Sequence, residues 1–472
     1  MCGIVGGYDI SDVENTLKSI VHRGRDASGV AQVGSVSFGH VRLSIIDVSS
    51  LSNQPFVVGD TTLVFNGTIW NYQDVREYLI KEYGVTFKTT GDVEVITNLI
   101  DREDYHGLNR LQGMFAVAWT KGNDDIHLAR DRFGEVPLHY SLLDASIFPE
   151  FYFCSEIKGL LSLGVNMQNI KMLRPGGYLK VVNNEKIVDT LWYDIDENIK
   201  FLDYDNRDIA SDTIRSLVER GSVERTVSDV PVCTLLSGGI DSSAITYHVS
   251  KEIPDLVSYI AVFDEKSRDL KCAREVAEML DIDLIEVKVQ PPTVSDIEGI
   301  INTIEMKYKA QIEISWGCIK LAERISSDGF KVVLSGEGSD ELWASYGMDY
   351  HGIETHGWTE YRKNKFGSQE RKNFARVNKI FMKYGIESRL PFLNTELVET
   401  ALGMKQDVVW NGKRNPKAVL QNGYTGVLPE EITTRQKIAF QDGMGIKNEF
   451  EKVLDKPPIV WYSESYSQQF GL

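Results

Sequence analysis

The sequence predicts a two-domain α/β protein. Residues 1–190 read as two packed sheets with helices outside, an αββα sandwich, and residues 211–472 as a doubly wound parallel sheet. Three observations predict this. The first part consists of short strands and turns interrupted by only two helical stretches. Near residue 207 the pattern changes to strand–loop–helix units. Two loops rich in glycine, serine and aspartate then follow apolar strands, at the strand ends where parallel sheets bind ligands. At 472 residues the chain is long enough for two or three cores.

In chain order, strands are expected near 36–43, 61–66, 114–119, 126–129, 151–154 and 178–182, with helices near 73–83 and 93–105. The stretch from Tyr193 to Arg207 is rich in Asp and Asn and reads as the linker, within 191–210. Beyond it, strands are expected near 232–236, 256–263, 283–289 and 331–334. Helices are expected to run to about 250, and near 270–280 and 297–307.

Composition excludes several classes. A net charge of −17 argues against non-specific binding to nucleic acid or to an anionic membrane. Five scattered cysteines without a CxxC pair argue against a disulfide framework or a zinc site, and for a reducing compartment. No apolar run is long enough to span a bilayer, and Asp9, Asp12 and Glu14 interrupt any signal-like core. A cytoplasmic enzyme is expected. Its oligomeric state is left open, with a homodimer as one form.

Cys2 carries the first chemical signal. It follows Met1 directly, so removing one residue makes a thiol the N-terminal residue. The free α-amine, titrating near ~8, can then take the proton of a thiol titrating near ~8.5.

The second signal is the string Leu236-Ser237-Gly238-Gly239-Ile240-Asp241-Ser242-Ser243. Gly238 and Gly239 let the backbone approach an anion, and the following helix offers unpaired N–H groups. Ser237, Ser242 and Ser243 add hydroxyls, and Asp241 suits a Mg²⁺ ion lying between it and phosphate. Ser335-Gly336-Glu337-Gly338-Ser339-Asp340-Glu341 repeats the logic, with Asp340 as the second metal ligand. Together they point to a nucleoside triphosphate bound with a divalent ion. The first loop lacks the spacing of the usual P-loop.

These motifs, in this order, resemble the glutamine-dependent asparagine synthetase family. The resemblance also rests on His22-Arg23-Gly24, Arg42-Leu43-Ser44, Asn66-Gly67, Gly91-Asp92, Arg130-Asp131, Ser155-Glu156, the Glu387-Ser388-Arg389-Leu390-Pro391-Phe392 string and Arg435-Gln436-Lys437. It implies an N-terminal-nucleophile glutaminase joined to an ATP-pyrophosphatase-type domain. Cys2 would attack glutamine, with Asn66 and Gly67 as the oxyanion hole, Arg42 holding the α-carboxylate and Asp92 the α-ammonium. Leu236, Val262, Ser335 and Gly336 would contact ATP, Asp241 and Asp340 the Mg²⁺–pyrophosphate, and Glu337 and Lys437 the forming acyl-adenylate. Ammonia would reach that adenylate through an internal tunnel.

Some positions depart from the family. Arg25 stands where a proline is usual, Thr68 where Asn-Gly is usually followed by Glu, and Ala344-Ser345 where two glycines are usual. An ungapped alignment puts Glu313 where an arginine suited to an aspartate carboxylate is expected. The acceptor is therefore aspartate or another carboxylate of a metabolite, sugar acid or modified base. Tyr346 and Glu387 stand where related β-lactam synthetases hold a Tyr–Glu dyad. With Glu313 they are the acceptor-site candidates. A cyclase needs no ammonia, so Cys2 weighs against it. A non-catalytic relic is the remaining alternative.

Overall fold

The computed structural model describes residues 1–122, 124–141, 151–183, 185–202, 206–345, 350–367, 370–410, 415–435 and 449–472. Two six-stranded antiparallel sheets build the N-terminal domain. In spatial order the first runs Ile170–Met172, His139–Ser141, Tyr152–Cys154, Gly3–Tyr8, Val36–Arg42, Ala27–Val33. The second runs Glu185–Leu191, Gly177–Val182, Asp125–Arg130, Gly113–Thr120, Thr61–Ile69, Phe56–Val58.

Two-residue alternation sorts the side chains of the first sheet. Ile4, Tyr8, Val36 and Phe38 enter the main core, whereas Val5 and Val41 join Leu17, Ile20 and Leu160 in a smaller cluster. Helices Val13–Lys18 and Ile157–Ser162 therefore cover the outer face of this sheet. Helices Tyr72–Tyr83 and Asp92–Glu103 cover the second sheet through Val75, Leu79, Ile96 and Leu99. The layers are αββα.

The C-terminal sheet is wholly parallel, in the order Asp283–Lys288, Val257–Val262, Val232–Leu235, Val332–Leu334, Glu387–Arg389. The chain starts at the central strand, winds outward one way and returns to wind the other. The reversal leaves a crevice beyond Val232–Leu235 and Val332–Leu334, where open parallel sheets bind ligands. Both expected phosphate loops leave these two strands.

Three of the differences from the sequence reading bear on the domain boundary and the parallel sheet. The expected linker is tied down: Tyr193 is buried, with its hydroxyl donating to Glu399 at 3.0 Å. Within the same span, Asn206 caps an unforeseen helix, Arg207–Glu224. The fifth parallel strand, Glu387–Arg389, was also unforeseen. It is only three residues long and has no apolar pattern to announce it.

The domains meet over buried polar contacts. Glu305 pairs with Lys379 and also accepts from the backbone of Ile157 at 3.0 Å and Lys158 at 2.9 Å. Arg23 bridges Glu156 at 2.7 Å and Asn378 at 2.9 Å. Arg25, in place of the family proline, donates to the Lys383 carbonyl at 3.0 Å. All five cysteines are free and buried. Among the described residues no helix is long and apolar enough to cross a membrane.

Candidate functional site

Cys2 begins the strand region at the centre of the first sheet, one residue before Gly3–Tyr8. Its nitrogen donates to Asn66 Oδ1 at 2.8 Å, and Asn66 Nδ2 donates to Ser155 Oγ at 3.3 Å. Ser155 Oγ also accepts from Ile4 N at 3.0 Å, so one hydroxyl ties the nucleophile's strand to Asn66. With Met1 present the Cys2 nitrogen is a peptide N–H and not a base. Burial raises the thiol pKa despite the nearby N-terminal charge. The resting group is therefore a thiol that needs a base to ionise.

Gly67 lies where the neighbouring strand comes too close for a side chain. A Cβ there would stand 2.1 Å from the Met114 carbonyl. Gly67, Cys2, Arg42, Thr68 and Asp92 line one cavity with Met1, about 30 Å³ while Met1 is in place. The structure thus gathers every expected glutamine-site residue around Cys2. Arg42 is held by the loop it faces, donating to the Ser49 carbonyl at 2.6 Å and Asn53 Oδ1 at 2.7 Å. Asp92 accepts from Ile69 N at 3.1 Å. Burial, assisted by the charge of Glu387, pushes its carboxyl up to about 7.

The second cluster lies at the crevice of the parallel sheet. Gly238 has φ +73°, and a Cβ there would stand 2.4 Å from the Asp269 carbonyl, so the turn requires glycine. Gly239 caps the helix Ile240–Glu252. Ser237 Oγ and Ser242 Oγ lie 3.0 Å apart across the loop. The two loops touch: a Cβ on Gly336 would stand 3.0 Å from Asp241 Cβ, and Ser339 Oγ donates to Asp241 Oδ1 at 2.7 Å. Leu236 and Val262 are buried at the ends of their strands. Among the described residues, the buried hydroxyls of Ser335 and Ser243 have no hydrogen-bond partner, as suits loops shaped to receive a ligand.

Lys417 was missed by the sequence reading. Its ammonium lies between the carboxylates of Asp241 and Asp340, 2.5 Å from each. An ammonium already joins the two expected metal ligands, and their carboxylate oxygens are the donor type that Mg²⁺ takes. Lys417 stands 176 residues from Asp241, and nothing in its Lys-Ala-Val-Leu context marks it. Arg435 donates to the Gly238 carbonyl at 3.2 Å and pairs with Asp269, bracing the first loop. Lys437 lies outside the described residues.

Of the expected acceptor candidates, Glu313 and Glu387 are held by separate sets of partners. Tyr346 lies outside the described residues. Glu313 faces Lys309 at 3.7 Å and the C-terminal helix, where it helps raise the hydroxyl pKa of Tyr462 after burial itself. The reason is helical phase: Glu313 and Gln311, two residues apart on Lys309–Ser327, point to opposite sides. Gln311 is the residue turned toward helix Ala375–Lys383 and Asn373. It accepts from Arg376 Nη1 at 3.0 Å and donates to Asn373 at 2.8 Å. Arg376 pairs with Glu337, and Asn373 reaches Glu341. Burial and the neighbouring Glu337 and Asp340 push the Glu341 carboxyl up to about 7.

Glu387 is the larger correction. It lies against the N-terminal domain, taking hydrogen bonds from Thr68, Arg389 and the Met1 ammonium. Its three-residue strand carries it to the domain boundary, away from the helix that bears Glu313. The resulting contact with the Cys2 pocket had no signal in the sequence.

Residues 1–197 match the family described as glutamine amidotransferase domain, and residues 213–376 and 369–456 match asparagine synthase. The chain is 32% identical over 476 residues to asparagine synthetase B (glutamine-hydrolyzing) of Escherichia coli (strain K12), covering 94% of this chain and 83% of that protein. It is 31% identical to a glutamine-hydrolyzing asparagine synthetase of Sandersonia aurantiaca, covering 94% and 87%. It is 30% identical to one of Asparagus officinalis, covering 94% and 78%.

Proposed function

The chain belongs to the glutamine-hydrolysing asparagine synthetases, glutamine-dependent amide ligases, and from that premise we propose that it adenylates a carboxylate with ATP and amidates it with ammonia drawn from glutamine. AMP and pyrophosphate are the other products, and aspartate is the first acceptor to consider. The observation that carries this reading is one buried helix, Ala375–Lys383, that touches both sites. Its Asn378 contacts Met1 Sδ at 3.1 Å and accepts from Arg23, while its Arg376 holds Glu337. An amide ligase of this kind needs such continuity, because ammonia that escapes into water becomes ammonium and loses its nucleophilicity.

Once Met1 is gone, the Cys2 amine takes the thiol proton, and sulfur attacks the glutamine amide carbon. Asn66 and the Gly67 N–H would stabilise the oxyanion. The C–N bond breaks as the amine proton passes to the leaving nitrogen, giving ammonia and a thioester that water hydrolyses to glutamate. In the other domain, Ser237, Ser242, Ser335 and the loop N–H groups would hold the phosphates. The acceptor carboxylate displaces pyrophosphate at the α-phosphorus, and ammonia then displaces AMP. Lys417 and Arg435 supply fixed positive charge beside the loops. Mg²⁺ would be held by Asp241 and Asp340 and would neutralise phosphate charge.

A second reading, a non-aspartate acceptor, is favoured by one observation. Where the family arginine is expected, Glu313 pairs with Lys309, while Gln311 on the other side of the helix accepts from Arg376, the partner of Glu337. The test is ATP consumption with mass-spectrometric product analysis, with glutamine and Mg²⁺, with and without aspartate. Aspartate-dependent AMP, pyrophosphate and asparagine are expected. Glutaminase activity without asparagine under these conditions would refute aspartate as the acceptor.

A pH dependence follows from Asp92. Its carboxyl is pushed up to about 7, and only the ionised form attracts the glutamine α-ammonium. The KM for glutamine should therefore rise as pH falls below 7, approaching tenfold per unit. A KM constant between pH 5.5 and 8 would remove Asp92 from that role.

A further inference from the structure

A cavity of about 540 Å³ lies between the domains and shares no lining residue with the Cys2 pocket or the phosphate loops. Its volume is that of a small-molecule site. The N-terminal domain contributes His139, Lys171 and Arg174 to it, and the C-terminal domain Met306, Lys307 and Tyr466.

The lining is graded from apolar to charged. Leu173, Met306 and Tyr466 are buried, and they give the interior an apolar and aromatic surface. Lys171, Arg174 and Lys307 are exposed and form the rim. Among the described residues Lys171 and Lys307 enter no ion pair, and Arg174 meets Asp189 at 3.4 Å. Four cations in the lining stand against two carboxylates, in a chain whose net charge is −17. A local surplus of positive charge in so acidic a chain attracts an anion.

One buried polar group decides what else the interior can bind. His139 is 2% exposed, and its Nδ1 donates to the Ser155 carbonyl at 3.1 Å. Burial, reinforced by the Lys379 ammonium, pushes the imidazole down to about 3, so the ring is neutral. Its Nε2 therefore carries a lone pair and accepts a hydrogen bond. The buried charges beside it, Lys379 and Glu305, already pair with each other. An N–H donor answers the imidazole, and tyrosine and methionine side chains pack well on the face of a ring.

We propose that this cavity is a second ligand site, for a planar heteroaromatic ring that bears an N–H donor and a phosphate, the chemical class of a purine nucleoside monophosphate. The ring takes the buried part, with its N–H on His139, and the phosphate meets Lys171, Arg174 and Lys307 at the rim. Because the lining comes from both domains, occupancy favours the arrangement in which they meet. Lys379 of that lining lies on helix Ala375–Lys383, which also bears Arg376, the partner of Glu337. The site does not depend on which carboxylate the chain amidates, and no bond is made or broken in it.

Equilibrium dialysis of the full chain against radiolabelled GMP, with and without excess ATP and Mg²⁺, tests the proposal. GMP is the probe because its guanine ring carries N–H donors. One equivalent is expected to bind, with a Kd that ATP changes by less than about twofold. Displacement by ATP would put GMP at the phosphate loops and overturn the proposal, as would the absence of saturable binding. Lys171→Glu and Lys307→Glu, both at exposed positions, should each raise the Kd by at least ~10-fold, the loss of one charge-assisted contact. A Kd unchanged in both variants would overturn the site. Ribose 5-phosphate should bind at least ~10-fold more weakly than GMP. Equal affinity would show that no ring is recognised and would overturn the assignment.

Discussion

Cys2→Ala is expected to lower glutamine-dependent synthesis by more than ~10³-fold while ammonia-driven synthesis stays within about twofold of wild type. In the proposed mechanism sulfur is the atom that forms the thioester, and alanine offers no nucleophile in its place. The damage should stay local. The Cys2 side chain packs in a small cavity, its backbone nitrogen keeps the bond to Asn66, and the loops around Asp241 belong to the other domain. Removing one buried sulfur costs on the order of 1 kcal/mol, well within what a chain of this size tolerates. Paired assays of glutamate and amide product, with glutamine or with ammonium chloride as donor, give the result. Loss of both activities together would mean that the two sites are not chemically separate.

Asp241→Ala is expected to reduce pyrophosphate release at least ~10²-fold, about 2.7 kcal/mol of barrier, with glutaminase activity retained. Asp241 accepts from Ser339 on the opposite loop and shares Lys417 with Asp340. Removing it takes away one of two carboxylates suited to a metal and one of the contacts that hold the loops together. Lys417 keeps Asp340 as its partner, so no buried charge is stranded and the fold should survive. Unchanged pyrophosphate release would exclude Asp241 from phosphate or metal binding. Loss of glutaminase activity as well would show that the variant has disturbed the domain contact, and Asp241→Asn would then separate charge from packing.

Much of the site was legible because its chemistry is local in the chain. Cys2 is marked by its position after Met1, and each phosphate loop is one continuous string behind an apolar strand. Asn66 and Thr68 likewise sit two residues apart on a single strand, so their shared face follows from two-residue alternation. Glu313 shows the limit of that reasoning. An ungapped alignment sets it against an expected arginine, but which side of the helix it faces depends on packing against Lys309 and Tyr462.

By itself the sequence determined the α/β class and the change of architecture near residue 207, and it marked the candidate nucleophile and the two glycine-rich loops. Each depends on periodicity or spacing within a few residues. Tertiary structure alone decided that Lys417 joins Asp241 to Asp340, that Arg376 joins Gln311 to Glu337, and that Glu387 reaches the Cys2 pocket. Those pairings span 39 to 319 residues of sequence in the contacts Arg376–Glu337 and Thr68–Glu387. They are set by strand order and by burial of charge against charge, which no local pattern records.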